Sequence, residues 1–401
     1  MHSIRTAFLK GASVKRLFTA FCLTALLTVV FVGGTSTHTL AYHSSGKHFV
    51  RVCSAATADY ARCNSFLVTP FSSSPSGYNP ADLQSAYNLP SSTAGSGQTV
   101  AIVDAYDDPN AESDLGVYRS QFGLPACTTA NGCFKKVNQS GGTKYPRANG
   151  GWAQEISLDL DMVSAICPNC HILLVEASSN SLANLGAAVN EAARLGANEI
   201  SNSYGGGESS SDTSYDTSYY NHPGIVITAS SGDNGYGVEY PAASQYVTSV
   251  GGTSLNRNSS TARGWSETTW SGAGSGCSAY DPKPSWQKDT GCSKRSVADV
   301  SAVADPNTGV SVYDSYSYQG RSGWLVFGGT SVASPIIASV YALAGNASTV
   351  TYGSYPYSHT SSLNDITSGS NGSCSGSYLC TAGSGYDGPT GNGTPNGTGG
   401  F

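Results

Sequence analysis

At 401 residues the chain is long enough for one large domain with appendages, and for a sizeable buried core. Charged residues make up only 11% of it, against roughly 25% in an average soluble domain. Ser, Thr, Gly, Asn and Tyr carry the polarity instead, which suits an exported protein that meets acid. A net charge of −6, with no basic stripe, argues against a nucleic-acid partner.

Residues 1–41 read as an export signal: Lys10, Lys15 and Arg16 precede an apolar run from Leu17 to Val32, with small residues and a cleavage point after Ala41. The run is short for a membrane span of about 20 residues, and no later segment could cross, so no membrane contact is expected once the signal is gone. Four basic residues and no acids would leave with it, taking the mature charge to −10. Beyond Cys22 the cysteines fall in sequence-close couples: Cys53/Cys63, Cys127/Cys133, Cys167/Cys170, Cys277/Cys292 and Cys374/Cys380. That favours local disulfides in an exported protein. Cys167-Pro-Asn-Cys170 could instead be a redox or zinc half-site, but no second Cys-x-x-Cys or His-x-x-x-His completes a metal site. Residues 42–77 form a short segment ending in Ser72-Ser73-Ser74-Pro75-Ser76-Gly77, and the folded domain is expected from Tyr78 to the C-terminus.

From there strand-like and helix-like stretches alternate. Strands are expected at 99–103, 171–176, 199–203, 224–229, 246–250 and 324–327; helices at 111–122, 155–166, 181–195, 211–221 and 332–344. Such alternation predicts an α/β fold, a doubly wound and mostly parallel sheet with helices on both faces, binding ligands at the C-terminal strand ends. Residues 256–300 and 305–322 read as long surface hairpins or loops, and the tail from Thr367 is mostly Gly, Ser, Asn and Thr. No repeat is present at a solenoid or propeller period.

Three stretches carry chemistry. Ile102–Asn110 begins like the first strand and catalytic Asp of a subtilisin-type peptidase, with Asp104 in that place. Such an enzyme needs a histidine base, yet none of His43, His48, His171, His222 and His359 is followed by Gly-Thr. In the 152–166 helix, counting about 100° per residue from Glu155, Ser157, Asp161 and Ser164 cluster near 200°, 240° and 180° as a polar face. Glu155 and Asp159 fall opposite, within the apolar arc and one turn apart. Two buried carboxyls are costly unless they bond each other or do chemistry. Glu155 could be a base oriented by Asp159, whereas Asp161 is expected to face water; the alternative is a helix-start acid with a capping bond. Finally, Gly328-Gly329-Thr330-Ser331-Val332-Ala333-Ser334-Pro335 lies at a strand-to-helix turn. There free N–H groups and the helix dipole can steady an oxyanion beside a Ser331 nucleophile. Pro335 is tolerable because N–H groups in the first turn have no helical partner. A plain Gly-Thr-Ser cap is the alternative.

Together these motifs resemble the sedolisins, serine-carboxyl peptidases on a subtilisin-like three-layer fold, over about residues 78–400. Glu155-x-x-x-Asp159 is similar to the family's Glu/Asp pair, and Gly329-Thr330-Ser331-x-x-x-Pro335 to its nucleophile motif. Ser231-Gly232-Asp233-Asn234-Gly235 resembles its oxyanion loop, implying that Asp233 donates to the tetrahedral oxyanion; by itself that sequence is an ordinary Asx turn. Only a protonated carboxyl can donate, so activity is expected below the folded pKa of Asp233. Asp365-Ile366 with Gly383-Ser384-Gly385-Tyr386-Asp387 resembles the family's calcium site. The implied ligands of one structural Ca²⁺ are the Asp365 and Asp387 carboxylates and the Ile366, Gly383 and Gly385 carbonyls. The resemblance also implies a large prodomain, where here only residues 42 to about 77 precede the core. Gly328 stands where Ser is commoner, and Asn392 replaces an apolar residue in Gly391-x-Gly393. The expectation is a secreted, monomeric endopeptidase or tripeptidyl-peptidase acting on polypeptides in acid. The alternatives are a silent calcium-stabilised binding domain and a subtilisin-type enzyme using Asp104.

Overall fold

Thr99–Ala105 (TVAIVDA) and His171–Ala177 (HILLVEA) are nearly unbroken runs of buried residues, the pattern of strands covered on both faces. They lie side by side at the centre of an eight-stranded sheet in the computed structural model, which describes residues 47–70 and 74–401. The order runs Trp265–Thr269, Thr248–Arg257, Val226–Ser230, Glu199–Asn202, Thr99–Ala105, His171–Ala177, Phe134–Asn138, with Val300–Val303 also beside Thr248–Arg257. Only Trp265–Thr269 runs antiparallel. Helices Gly150–Ile166 and Thr330–Ala344 pack on each other and on one face, and Leu182–Arg194 covers the other. The expected doubly wound α/β architecture is the one found. The expected signal, residues 1–41, lies outside the described residues. Among those described, no helix is long and apolar enough to cross a membrane.

Local chemistry explains the two helices that matter most. Gly150–Ile166 starts five residues earlier than periodicity suggests, because the Asn149 side chain accepts from the Gly151 and Trp152 N–H groups at 3.1 and 3.2 Å. Such a cap contributes about 1 kcal/mol. Thr330–Ala344 follows Gly329, whose φ of 109° no side chain tolerates well, and ends at Gly345 in the left-handed region. Pro335 falls beyond the first turn, not within it. The helical bond it cannot donate would have gone to the Ser331 carbonyl, which instead accepts from the Ser203 hydroxyl at 3.3 Å.

Three expectations change. The 211–221 helix is a short α-turn, Asp212–Tyr215, widening into a π-turn over Asp216–Tyr220. Asp161, Ser157 and Ser164 are buried rather than wet. The stretch 305–322, expected as a surface hairpin or loop, does form an antiparallel pair, Val310–Tyr318 with Arg321–Gly328, but it packs over this helix face. Asp161 Oδ2 accepts from the Tyr313 N–H at 2.9 Å, Ser164 accepts from Arg119, and Ser157 donates to Asp108. Lastly, the segment before Tyr78 is woven into the domain. His48–Arg51 and Phe66–Thr69 extend the Arg321–Gly328 sheet, and Arg62–Cys63 pairs with Tyr204–Gly207. All five expected cysteine couples are disulfides, Cys167–Cys170 among them, which removes the zinc reading of that pair.

Candidate active site

Two strand ends, the middle of one helix and the start of another converge where the sheet's C-terminal edge meets Thr330–Ala344. Asp104 ends the central strand, Asp233 follows Val226–Ser230, Glu155 and Asp159 project from Gly150–Ile166, and Ser331 is the second residue of its helix. All five are buried. Ser331 Oγ donates to the Ser203 carbonyl at 2.9 Å, and its hydroxyl, with that of Ser65, offsets part of the burial penalty on Glu155. Glu155 Oε2 accepts a very short bond from Ser65 Oγ, and Oε1 has no partner.

Burial pushes the Glu155 carboxyl up to about 8, with Asp233 adding repulsion. Asp159 and Asp104 are held well above the usual range, by burial first. For Asp159 the repulsion of Asp104 and Glu155 follows; for Asp104 it is that of Glu155 and Glu176. Neither oxygen of either Asp has a hydrogen-bond partner, although the Ser203 hydroxyl offsets part of the penalty on Asp159. A cluster so placed keeps its protons on the carboxyls without donors. The first negative charge to form on it therefore settles on Glu155, the member with a hydroxyl donor, Ser65, already bonded to it.

Asp233 is arranged differently. Its Oδ1 accepts from the Thr330 N–H and hydroxyl at 2.8 and 2.9 Å, while Oδ2 has no partner. Burial outweighs those two bonds and lifts the carboxyl to about 7. Below that pH it carries a proton, and the oxygen free to hold it is the one without a bond, beside Gly329.

Glu155, Asp159, Asp233 and Ser331 are thus brought into one buried cleft. Asp104 joins them as a third acid of the cluster rather than as partner to a histidine: His222 bonds Asn190 and His359 stacks on Tyr355. Sequence reasoning missed Ser203, Asn64 and Ser65. Ser203 had a signal, since Asn202-Ser203-Tyr204-Gly205 is a run of polar and small residues at a strand's C-terminal end; Asn64 and Ser65 had none.

The residues expected to bind calcium also meet. Gly385 N–H donates to Asp365 Oδ2 at 2.9 Å and Gly383 N–H to Asp387 Oδ2 at 3.2 Å, so one small turn faces both carboxylates. Asp387, raised to about 7 mainly by burial, also feels repulsion from Asp365. Two acids held together without a balancing base suit a hard cation with oxygen ligands. Elsewhere, Glu208, Asp212 and Asp281 bring acid oxygens within 4.8 Å of one another, a grouping that sequence reasoning did not single out.

The chain is similar in sequence and fold to known proteins. The sequence model of the Subtilase family matches residues 138–353. Kumamolisin of Bacillus sp. (strain MN-32) is 30% identical over 369 residues, covering 81% of this chain and 63% of its own. Sedolisin of Pseudomonas sp. (strain 101) is 28% identical over 366 residues, covering 79% and 59%. The chain therefore spans about three-fifths of the length of these two relatives. Among solved structures, Pseudomonas sedolisin, a serine-carboxyl proteinase complexed with pseudo-iodotyrostatin, superimposes with a TM-score of 0.65 at 26% identity, covering 80% of this chain and 96% of that one. Sphericase, at 18% identity and a TM-score of 0.52, shares the fold.

Proposed function

On the premise that the chain belongs to the subtilase family and is similar over most of its length to sedolisins, we propose that it is a secreted serine-carboxyl peptidase working in acid. The observation that carries this reading is the buried Glu155 carboxyl, bonded by the Ser65 hydroxyl and close enough to Ser331 to feel its hydroxyl, with no imidazole among the groups acting on it. Ser331 Oγ attacks the peptide carbonyl as its proton passes to the ionised form of Glu155, a minor fraction in acid because burial holds that carboxyl up to about 8. Asp159, neutral and one turn along the helix, holds Glu155 in place. The oxyanion receives the Ser331 N–H and the proton of Asp233. As the tetrahedral intermediate collapses, Glu155 returns the proton to the leaving amine; water, deprotonated by Glu155, then hydrolyses the acyl-serine ester.

Asp365, Asp387 and the carbonyls of Ile366, Gly383 and Gly385 would hold one Ca²⁺, which supplies charge balance to the C-terminal turn and takes no part in the chemistry. Five disulfides suit an oxidising, extracellular setting. A monomer acting on polypeptides is the form proposed. The test is casein hydrolysis near pH 4–5, in the range of ordinary carboxyl pKa values. Wild type should cleave and Ser331→Ala should not; equal rates would remove Ser331 from the mechanism.

A further inference from the structure

Glu208, Asp212 and Asp281 come from three places in the chain and meet at one. Glu208 directly follows the strand Tyr204–Gly207, Asp212 opens the turn Asp212–Tyr215, and Asp281 lies in the loop closed by Cys277–Cys292. One carboxylate oxygen of each lies within 4.8 Å of the others. Glu208 is half-buried, and both aspartates are fully buried. Among the described residues, no lysine or arginine forms an ion pair with any of the three. Lys294 donates to the Tyr280 carbonyl instead, at 2.9 Å.

A fourth acid stands behind them. Asp216, fully buried in the π-turn, is in hydrogen-bond reach of Asp281 and is the charge acting on it most strongly. Its Oδ1 accepts from the Tyr240 hydroxyl at 3.0 Å, and its Oδ2 has no partner. Asp281 Oδ1 has none either, and Oδ2 takes a long bond of 3.5 Å from Ser278 Oγ. Glu208 and Asp212, by contrast, are held in place. Ser278 Oγ and the Ala279 N–H bond Glu208, and the Ser209 N–H and hydroxyl bond Asp212 at 2.8 and 3.0 Å. Carboxylates bonded in this way keep further lone pairs for a ligand. Two buried carboxyls in contact, with no base between them, need a proton or a cation.

We propose that Glu208, Asp212 and Asp281 form a site for one Ca²⁺, separate from the C-terminal turn, with Asp216 behind Asp281 adding to the negative field. All three ligands are carboxylate oxygens, which select a hard cation. Ca²⁺ bonds of about 2.3–2.6 Å put opposite ligands about 4.6–5.2 Å apart, which accommodates this grouping; Mg²⁺ accommodates about 4.2 Å and keeps several waters. The half-buried Glu208 gives the ion a way in from solvent. Once bound, it fastens the end of the strand Tyr204–Gly207 to the 212–220 turn and to the disulfide loop. To enter, it displaces the proton between Asp281 and Asp216 and shares carboxylates already engaged by other donors. That places it with weak extracellular sites, with a Kd of about 10⁻⁴–10⁻³ M. The site therefore fills in millimolar Ca²⁺ at neutral pH and yields to the proton in acid. A chain purified without added calcium owes its response to chelator to Asp387 and not to this corner.

The test is equilibrium dialysis and melting of the purified full chain at about pH 7, with and without about 10 mM Ca²⁺, ten or more times that Kd. Asp387→Asn, which removes the C-terminal site, should take up one ion per chain and melt about 2–5 °C higher with calcium. Adding Asp281→Asn should abolish both effects. Glu208→Gln, at a half-buried position, should abolish them too, and serves where a buried Asn disturbs the fold. In the otherwise natural chain, each of these two substitutions should cost one bound ion relative to wild type. Mg²⁺ at the same concentration should give less than half the shift in Tm. No uptake by Asp387→Asn, uptake that survives Asp281→Asn and Glu208→Gln, or an equal shift with Mg²⁺ overturns the proposal.

Discussion

Replacing Asp233 by Asn separates the oxyanion donor from the acid cluster. In the wild type Asp233 Oδ1 is fixed by two Thr330 donors, and Oδ2 is free. Those donors orient an asparagine with its oxygen on Thr330 and its NH₂ where Oδ2 stood, making it a permanent donor. The carboxyl, lifted to about 7, donates only while protonated; that fraction falls about tenfold per pH unit above its pKa. Wild-type kcat/KM should accordingly drop about fivefold from pH 7 to 8 and about tenfold more to pH 9 through this group, while Asp233→Asn should lack that limb. Asp233→Ala, with no donor at any pH, should lose about 10²–10³-fold even in acid. Melting curves supply an independent readout. Ionising this carboxyl in the folded state, where burial lifts it from the ordinary 3.8 to about 7, costs about 4 kcal/mol, so Asp233→Asn should melt higher than wild type at pH 8 and near it at pH 4. An Asp233→Asn profile that falls with the wild-type midpoint would place the titrating group elsewhere and refute this reasoning.

Other outcomes follow from the same structure. Asp104, Glu155, Asp159, Glu199 and Asp281 are all buried carboxyls with folded pKa values raised above their unfolded ones. The stability they contribute is present in full below about pH 4, and is lost as pH rises through the folded values. Tm should therefore fall between about pH 4 and 8, and a Tm that climbs over this range contradicts the burial argument. Chelation should lower Tm, since an ion at 100 times its Kd contributes about 2.7 kcal/mol. Asp387→Asn should be insensitive to chelator; an unchanged wild-type Tm would discredit the calcium site.

Much of this was readable from residue order. The strand at Thr99–Ala105 is apolar without interruption, and Glu155 and Asp159 stand one turn apart in an apolar arc, so the sheet and the buried acid pair could be placed from periodicity. Asp161 could not, because what covers it is a hairpin about 150 residues away in sequence, whose Tyr313 N–H offsets part of the cost of burying its carboxyl. Pro335 misled for a related reason: the Ser203 hydroxyl that replaces its missing bond comes from another strand end. Asn64 and Ser65 carry no motif. Their place in the cleft is set by backbone pairing with Tyr204–Gly207 and Arg321–Gly328, and backbone bonds leave little trace in side-chain chemistry.

The central claim, that a carboxylate rather than an imidazole takes the Ser331 proton, is tested most directly by acylation of Ser331 in a single turnover across pH, in wild type and Glu155→Gln. A burst already present at pH 4–5 in wild type, and missing from Glu155→Gln at every pH, is the result predicted. Equal bursts in the two proteins would contradict it.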